Sequence, residues 1–295
     1  MARFHVIAAA VLFGTTGTAQ ALGPSLHPLA VGASRIVIGA ALLATVALAA
    51  GRLSSGAGAP PILLGGAFVA AYQASFFAAV AETGVAMGTV VALGSAPAFT
   101  GALARAFGGE RLGARWAAAT ALAAAGVGLL VLGGGAAGDV SLPGVGLALV
   151  SGAGYAGYTV LSKRMMDAGG APEGVMAALF GAGAIMLLPA LALVPAGPLL
   201  EMDALALALY LGVVPTALAY ALFSRGLERI GAGETATLTL AEPLTAAALG
   251  VVMLGERPGA ASAAGALLVL AGLALLALRA PAPRVPRRRP AEAVA

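Results

Sequence analysis

The sequence contains no cysteine, little charge and few histidines. Its 295 residues include no Cys, two His and one Trp, which excludes disulfide bonds, thiolate catalysis and cysteine-based metal sites. Only 9% of the residues are charged, whereas soluble domains average about 25%. The nucleotide-binding pattern GxxxxGK[ST] is absent as well, which argues against a primary pump.

Hydrophobic residues make up 60% of the chain. A transmembrane helix needs about 20 predominantly apolar residues. Ten segments meet that need, at 4–22, 29–50, 61–81, 84–107, 113–133, 141–162, 173–195, 204–224, 232–254 and 259–279. Inside hydrocarbon every backbone polar group needs an internal partner, so these spans must be helices. We therefore predict an all-α membrane protein with ten transmembrane helices.

The two halves of the sequence share a repeated motif. The motif Gly109-Glu110-Arg111 follows Pro97, and Gly255-Glu256-Arg257 follows Pro243 at the same spacing, with an offset of 146 residues between the copies. Five spans per half is an odd number, so the two halves should insert with opposite orientation, as in many secondary transporters. We predict a first five-helix repeat at 1–137, a second at 138–280, and a disordered Pro/Arg-rich cytoplasmic tail at 281–295.

The distribution of basic residues orients the predicted bundle. With the N-terminus inside, all sixteen Lys and Arg residues except Arg35 and Arg257 fall on the cytoplasmic side, as the positive-inside rule requires. The outer loops carry acidic residues instead, namely Glu82, Asp139, Glu201, Asp203 and Glu256. An error of one span would reverse every later loop, so this bias supports ten spans. We expect a multi-pass protein of the cytoplasmic (inner) membrane with both termini cytoplasmic.

These features together resemble the drug/metabolite transporter superfamily, and within it the EamA-type ten-helix transporters. The residues that carry the resemblance are Pro97…Gly109-Glu110-Arg111, Glu242-Pro243…Gly255-Glu256-Arg257, Phe13-Gly14, Arg35, Tyr72–Gly84 and Tyr220–Gly231. One departure is Phe13, which stands where the family usually has Trp. The resemblance covers about residues 4–279 and implies export or uptake of small metabolites. It does not name the substrate, because the family covers amino acids, sugars, nucleotide derivatives and drugs.

Glu242 is the sharpest candidate for a functional residue. It lies about 12 Å into the ninth span, eight residues past Glu234 at roughly 1.5 Å per residue. An ionisable residue at that depth is costly and indicates function by default. Reversible proton binding is one interpretation, and a protonated or hydrogen-bonded structural carboxyl is the other. The equivalent pair in the first half is Ala96-Pro97, so the predicted site is asymmetric.

Arg35 and a set of uncharged polar residues are the other candidates. Arg35 could bind a substrate carboxylate or phosphate bidentately, or it could extend to the outer interface or pair with a structural partner. The remaining substrate-binding or coupling candidates are Gln73, Tyr72, Tyr155, Tyr158, Tyr220, Thr239, Gln20 and Thr16. Each of these could instead bond one helix to another. Pro97 and Pro243 are predicted to kink their helices.

The repeated Glu-Arg pairs lie at helix–loop junctions on opposite faces of the predicted bundle. Glu110 and Glu256 come shortly before the next helix, where the helix dipole favours a negative charge. We interpret both as structural anchors of their loops, with gating contacts as the alternative.

The sequence favours a secondary transporter that moves a small metabolite, an amino acid or similar compound, by alternating access in the export direction. A facilitative carrier or drug exporter without proton coupling is the alternative, and a non-transporting scaffold or channel is a distant one. An enzyme is not expected, because no nucleophile–base pair or metal cluster lies at mid-membrane depth. We expect no cofactor, no metal and no nucleic acid as partner. The expected partners are the bilayer, the substrate and, for an antiporter, protons, and the oligomeric state stays open.

The topology can be tested with reporter fusions placed after Gly56, Asp139 and Asp203. We expect a cytoplasmic signal after Gly56 and external signals after the two aspartates, because the basic loops stay inside. A cytoplasmic signal after Asp139 would contradict the inverted repeat.

Overall fold

The computed structural model describes residues 1–133, 141–191, 197–255, 257 and 259–277. Ten helices run through these ranges: α1 (Ala2–Leu22), α2 (Pro28–Ala49), α3 (Ala59–Gly84), α4 (Met87–Phe107), α5 (Ala114–Leu132), α6 (Leu142–Asp167), α7 (Pro172–Leu191), α8 (Met202–Leu227), α9 (Ala232–Leu254) and α10 (Ala260–Ala277). The predicted repeat boundary at 137/138 and the predicted tail at 281–295 lie outside the described residues.

The prediction of an all-helical, ten-helix membrane protein is confirmed. Of the helices in the described part of the chain, α1 to α9 are long and apolar enough to cross a bilayer, and α10 is a shorter apolar helix. The predicted spans match the helices closely. The largest difference is at the end of α6, which was predicted at 162 and lies at Asp167. At the junction of α3 and α4, helical structure continues on both sides of Gly84, the residue with non-helical angles (φ 77°, ψ 161°). A left-handed φ of that size suits glycine, because it has no Cβ.

The two halves interleave rather than standing side by side. Helix α1 packs on α8 and α9, while α6 packs on the α3–α4 segment. Helix α2 packs on α7, and α5 packs on α10. When α1 to α5 are matched in order with α6 to α10, each contact that a helix of one half makes has an equivalent made by the matching helix of the other half. The arrangement therefore has an approximate two-fold symmetry between halves of opposite direction.

The glycine of the repeated motif ends a helix in both halves. Gly109 follows α4 with φ 65°, and Gly255 follows α9 with φ 71°. Past Gly109 the chain turns back, and the Glu110 N–H donates to the Ala104 carbonyl at 3.1 Å. A left-handed glycine with such a return bond is a common helix C-cap. The turn directs the Glu110 side chain away from its own loop.

The position of Glu110 in the sequence suggested an interaction with the start of the following helix, but the hydrogen bonds of its side chain in the described structure go to a different helix. Its carboxylate accepts the backbone N–H groups of Ala232 at 2.5 Å and Gly233 at 3.2 Å, so it caps α9 in the other half. A Cβ at residue 231 would come within 2.6 Å of that carboxylate. The chain thus needs Gly231 for the cap, and the dipole of α9 favours the charge.

Further contacts hold the same face of the bundle together. The Arg3 guanidinium pairs with the Glu234 carboxylate at 2.5 Å and ties α1 to α9. Glu173, which is 1% exposed, accepts from Arg52 at 3.4 Å and from Arg225 at 3.2 Å. These bonds join the end of α2, the start of α7 and the end of α8. We call this surface, which carries the N-terminus, the N-terminal face.

The cap on α9 predicts a specific loss of stability. Glu110→Ala removes two charge-assisted hydrogen bonds, so we expect a loss of about 1–2 kcal/mol and a lower midpoint of thermal unfolding in detergent. Glu110→Gln keeps an acceptor without the charge, so its thermal midpoint should lie between those of wild type and Glu110→Ala. Glu228→Ala, which removes an exposed acid on the same face, is the matched control. Equal midpoints for the Glu110→Ala and Glu228→Ala variants would contradict the cap.

Candidate functional site

Helix α9 changes its winding immediately before Glu242. Thr239–Ala241 form a 3₁₀ turn, and the regular helix resumes at Glu242. Pro243 has no N–H, so the Thr239 carbonyl loses the partner that it would have in an α-helix. The Glu242 side chain is half-buried there. Within the described part of the chain, no hydrogen bond reaches its carboxylate.

Helix α8 also departs from regular winding, at Val213–Leu218, which form a π-helical segment. Pro215 removes the N–H that the Leu211 carbonyl would accept in an α-helix. The Thr216 hydroxyl donates to that carbonyl at 2.7 Å. Wide turns of this kind occur often at functional sites in membrane and soluble helices.

Arg35 lies on α2 beside the π-helical segment and is 8% exposed. Its Nε donates to the Thr216 hydroxyl at 3.3 Å. The side chain therefore does not extend to the outer interface, which was one of the alternatives for this residue. The close approach of α2 and α8 keeps it in the interior.

Arg35 and Glu242 are opposite charges that no salt bridge or hydrogen bond joins in the described structure. Arg35 bonds Thr216, which precedes Tyr220 by one turn of α8. Glu242 follows Thr239, the partner of Tyr155, by three residues on α9. Among the described residues neither side chain belongs to an ion pair. Arg35 comes from the first half and Glu242 from the second, so the two charges are divided between the halves. Such a separated pair can accommodate a ligand that carries both charges.

Aromatic residues of several helices pack together beside Thr216 and Thr239. The Tyr155 hydroxyl shares a hydrogen bond with Thr239 at 3.1 Å, and Tyr158 shares one with Tyr220 at 3.0 Å. The ring centroid of Tyr72 on α3 lies 6.0 Å from those of Tyr155 and Tyr158. Three phenylalanine rings lie near Tyr220, with distances between ring centroids of 4.9 Å for Phe13 on α1, 4.2 Å for Phe180 on α7 and 5.7 Å for Phe223 on α8. These rings and Thr239, with Arg35 and Glu242, form what we call the central cluster.

The structure joins most of the predicted site residues and leaves three apart. The central cluster contains Arg35, Tyr72, Tyr155, Tyr158, Tyr220, Thr239 and Glu242. Gln73 is buried beside Tyr72, and its Nε2 has no hydrogen-bond partner among the described residues. Thr16 and Gln20 are half-buried toward the end of α1, and in the described structure no hydrogen bond links them to the cluster.

Both prolines predicted to kink their helices are buried. Pro243 lies directly after the 3₁₀ turn of α9. Around Pro97 the residues keep helical angles, and the non-helical residue of that segment is Gly84.

Sequence reasoning missed Thr216. The signal was present as the Pro215-Thr216 pair inside an apolar span, because a proline frees a carbonyl that a neighbouring hydroxyl can satisfy. It also left Phe180 and Phe223 unassigned, since an apolar ring in a membrane span carries no mark that separates a site from ordinary packing.

Comparison with protein families gives one match in each half. The model of the EamA-like transporter family matches residues 2–132 and again residues 142–278. The two matches follow the repeat along the chain.

Two curated proteins of Bacillus subtilis (strain 168) are similar to the chain. "Uncharacterized transporter YwfM" is 41% identical over 273 residues, which cover 92% of this chain and 92% of that protein. "Uncharacterized transporter YcbK" is 34% identical over 116 residues, covering 38% of this chain and 37% of that protein.

A solved structure shares the fold. It carries the description "Crystal structure of protein" and superposes with a TM-score of 0.81 at 22% identity, covering 93% of this chain and 95% of that one.

The hydrogen bond between Tyr158 and Tyr220 predicts a coupling between two substitutions. Each single Tyr→Phe change leaves the other buried hydroxyl without this partner and should cost about 1 kcal/mol or more, while the double change removes both polar groups. We therefore expect the double variant to lose less free energy of unfolding than the two single losses combined. Denaturant titration in detergent measures this cycle, with the partly exposed Tyr210→Phe as control. Additive losses would show that the two hydroxyls do not interact.

Proposed function

Because the chain belongs to the EamA-like transporter family, we propose that it is a secondary transporter of a small zwitterionic metabolite, an amino acid or a similar compound. The family makes it a multi-pass membrane protein that handles small molecules, and suggests no enzymatic activity. We further propose that the protein exports this substrate and resides in the cytoplasmic membrane with both termini in the cytoplasm.

The observation that carries the proposal is the separated pair of Arg35 and Glu242. An amino acid presents a carboxylate and an ammonium group, which complement a guanidinium and a carboxylate. Charges inside a membrane protein are costly unless they serve a ligand or one another. The aromatic rings of the central cluster would contact the apolar part of the substrate, and an ammonium group over a ring gains further attraction.

Alternating access would use the contacts between the halves. The central cluster takes residues from both halves, so rocking one half against the other would open it to either side in turn. On the N-terminal face, such a motion would have to separate α9 from Glu110 and from Arg3. Both contacts are polar and can exchange their partners for water at that surface.

Glu242 is the group through which protons would drive export. A protonated Glu242 is neutral and holds no ammonium group, so substrate and proton would compete for the same carboxylate. Binding of substrate on the cytoplasmic side would release the proton there, and release of substrate outside would allow the carboxyl to take up another. A facilitative carrier or drug exporter without proton coupling remains the second candidate, because the carboxylate could bind substrate without changing its protonation.

The test is flux of radiolabelled amino acids into proteoliposomes under imposed pH gradients. We expect wild-type flux to respond to the gradient. Glu242→Gln should lose most of the coupled flux and all of the response, because the amide keeps the shape of the carboxyl but cannot exchange a proton. Its thermal midpoint should stay close to that of wild type.

The control compares wild type and variant at equal reconstituted amounts, with Glu228→Gln as an exposed acid treated in the same way. Mutant flux equal to that of wild type with the same pH response would remove Glu242 from the mechanism. Wild-type flux that ignores the gradient would favour the facilitative carrier.

A further inference from the structure

Helices α2 and α8 approach each other closely beside Arg35. A Cβ on Gly39 would come within 2.8 Å of the Thr216 Cβ, and one on Gly212 would come within 2.5 Å of the Ile38 Cγ2. Residue 39 lies four positions after Arg35 and therefore on the same side of α2. The absent side chain at Gly39 is what lets Thr216 lie against α2, one turn from the guanidinium. Small residues commonly permit such contacts between membrane helices.

The Thr216 hydroxyl has only one orientation that satisfies its neighbours. A hydroxyl donates a single proton and accepts through two lone pairs. Thr216 donates that proton to the Leu211 carbonyl, which Pro215 leaves without its α-helical partner. The lone pairs are then directed to accept the Arg35 Nε–H. The proline thus determines the direction of the hydroxyl, and the hydroxyl determines which edge of the guanidinium it binds.

This contact leaves the other end of the guanidinium available. Arginine carries five N–H donors in a planar fork, and the two Nη atoms form an end that fits a carboxylate. With Nε bonded to Thr216, that end has no hydrogen-bond partner in the described part of the chain. Tyr220 follows Thr216 by four residues on α8 and therefore lies about one turn away on the same side of the helix. The bond from Arg35 to Thr216 thus places the guanidinium next to the central cluster.

We infer that Thr216 is a positioning residue that holds the Arg35 guanidinium with its Nη end toward the central cluster, where it binds the carboxylate of the transported substrate. The inference rests on the proposed function, since it assigns the carboxylate end of the same zwitterion. Thr216 itself touches Arg35 and not the substrate. Its effect should therefore depend on whether the substrate carries a carboxylate.

The experiment first measures wild-type transport of the twenty radiolabelled L-amino acids to find the one that is transported best. It then compares that amino acid with its carboxamide as substrates of wild type and three variants. Thr216→Val keeps the methyl group that packs on Gly39 and removes the hydroxyl, whereas Thr216→Ser keeps the hydroxyl. Thr100→Val is the matched control, because Thr100 is buried, donates to the Ala96 carbonyl of its own helix at 2.7 Å, and lies on α4, which contributes no residue to the central cluster.

We expect Thr216→Val to raise the KM for the amino acid about tenfold or more, as for a lost hydrogen bond to a charged group. The KM for the carboxamide should change less than about twofold, because that substrate offers no carboxylate to Arg35. Thr216→Ser should restore the wild-type KM, and Thr100→Val should leave the KM of both substrates unchanged.

Equal changes for both substrates would overturn the inference and assign Thr216 to the shape of α8 alone. An unchanged KM for the amino acid in Thr216→Val, with wild-type transport intact, would also overturn it while the proposed function stands. Absence of amino acid transport by wild type would overturn the proposed function, and this inference with it. Thermal midpoints of the three variants separate each result from a loss of folding, and an unfolded Thr216→Val is replaced by Thr216→Ala in the same comparison.

Discussion

The constraint on which the rest of this structure depends is the absence of water from the hydrocarbon core. Each backbone N–H and C=O there must find a partner inside the protein, which the regular helices supply over most of their length. Each departure from regular winding therefore needs its own compensation. Pro215 leaves the Leu211 carbonyl without its α-helical partner, and the Thr216 hydroxyl donates a hydrogen bond to that carbonyl instead. The compensating hydroxyl then becomes available to Arg35, so a backbone defect supports a buried charge.

The same reasoning explains where the polar groups gather. The π-helical segment of α8 and the 3₁₀ turn of α9 each follow from a proline, at Pro215 and Pro243, and each adjoins a charged residue. Arg35 lies beside the first and Glu242 follows the second. Membrane transporters commonly concentrate their sites where helices are interrupted near the interface of two repeats. Here the interruptions belong to the second half, while Arg35 and Tyr72 come from the first.

The repeat is symmetric in its architecture and asymmetric in its chemistry. Gly109 and Gly255 take the same left-handed conformation, and the helix contacts between the halves come in matched pairs. Glu242, however, corresponds to Ala96, so only one half provides the carboxylate. In the proposed alternating access, an asymmetric site inside a symmetric framework would let the inward-open and outward-open arrangements share one ligand site. In the proposed mechanism, the framework would govern access, and the unmatched residues would govern what binds.

The sequence by itself determined the number of helices, the repeat and the position of Glu242 within its apolar span. These follow from local quantities, namely the length of apolar runs, the offset of a motif and the position of a charge within a span. It could not say that Arg35 binds Thr216, or that Glu110 caps α9 rather than its own helix. Both contacts join residues far apart in the chain, 181 positions for Arg35 and Thr216 and 122 for Glu110 and Ala232. Such partners are chosen by how closely helices pack, as at Gly39 and Gly231, and only the tertiary structure sets those distances.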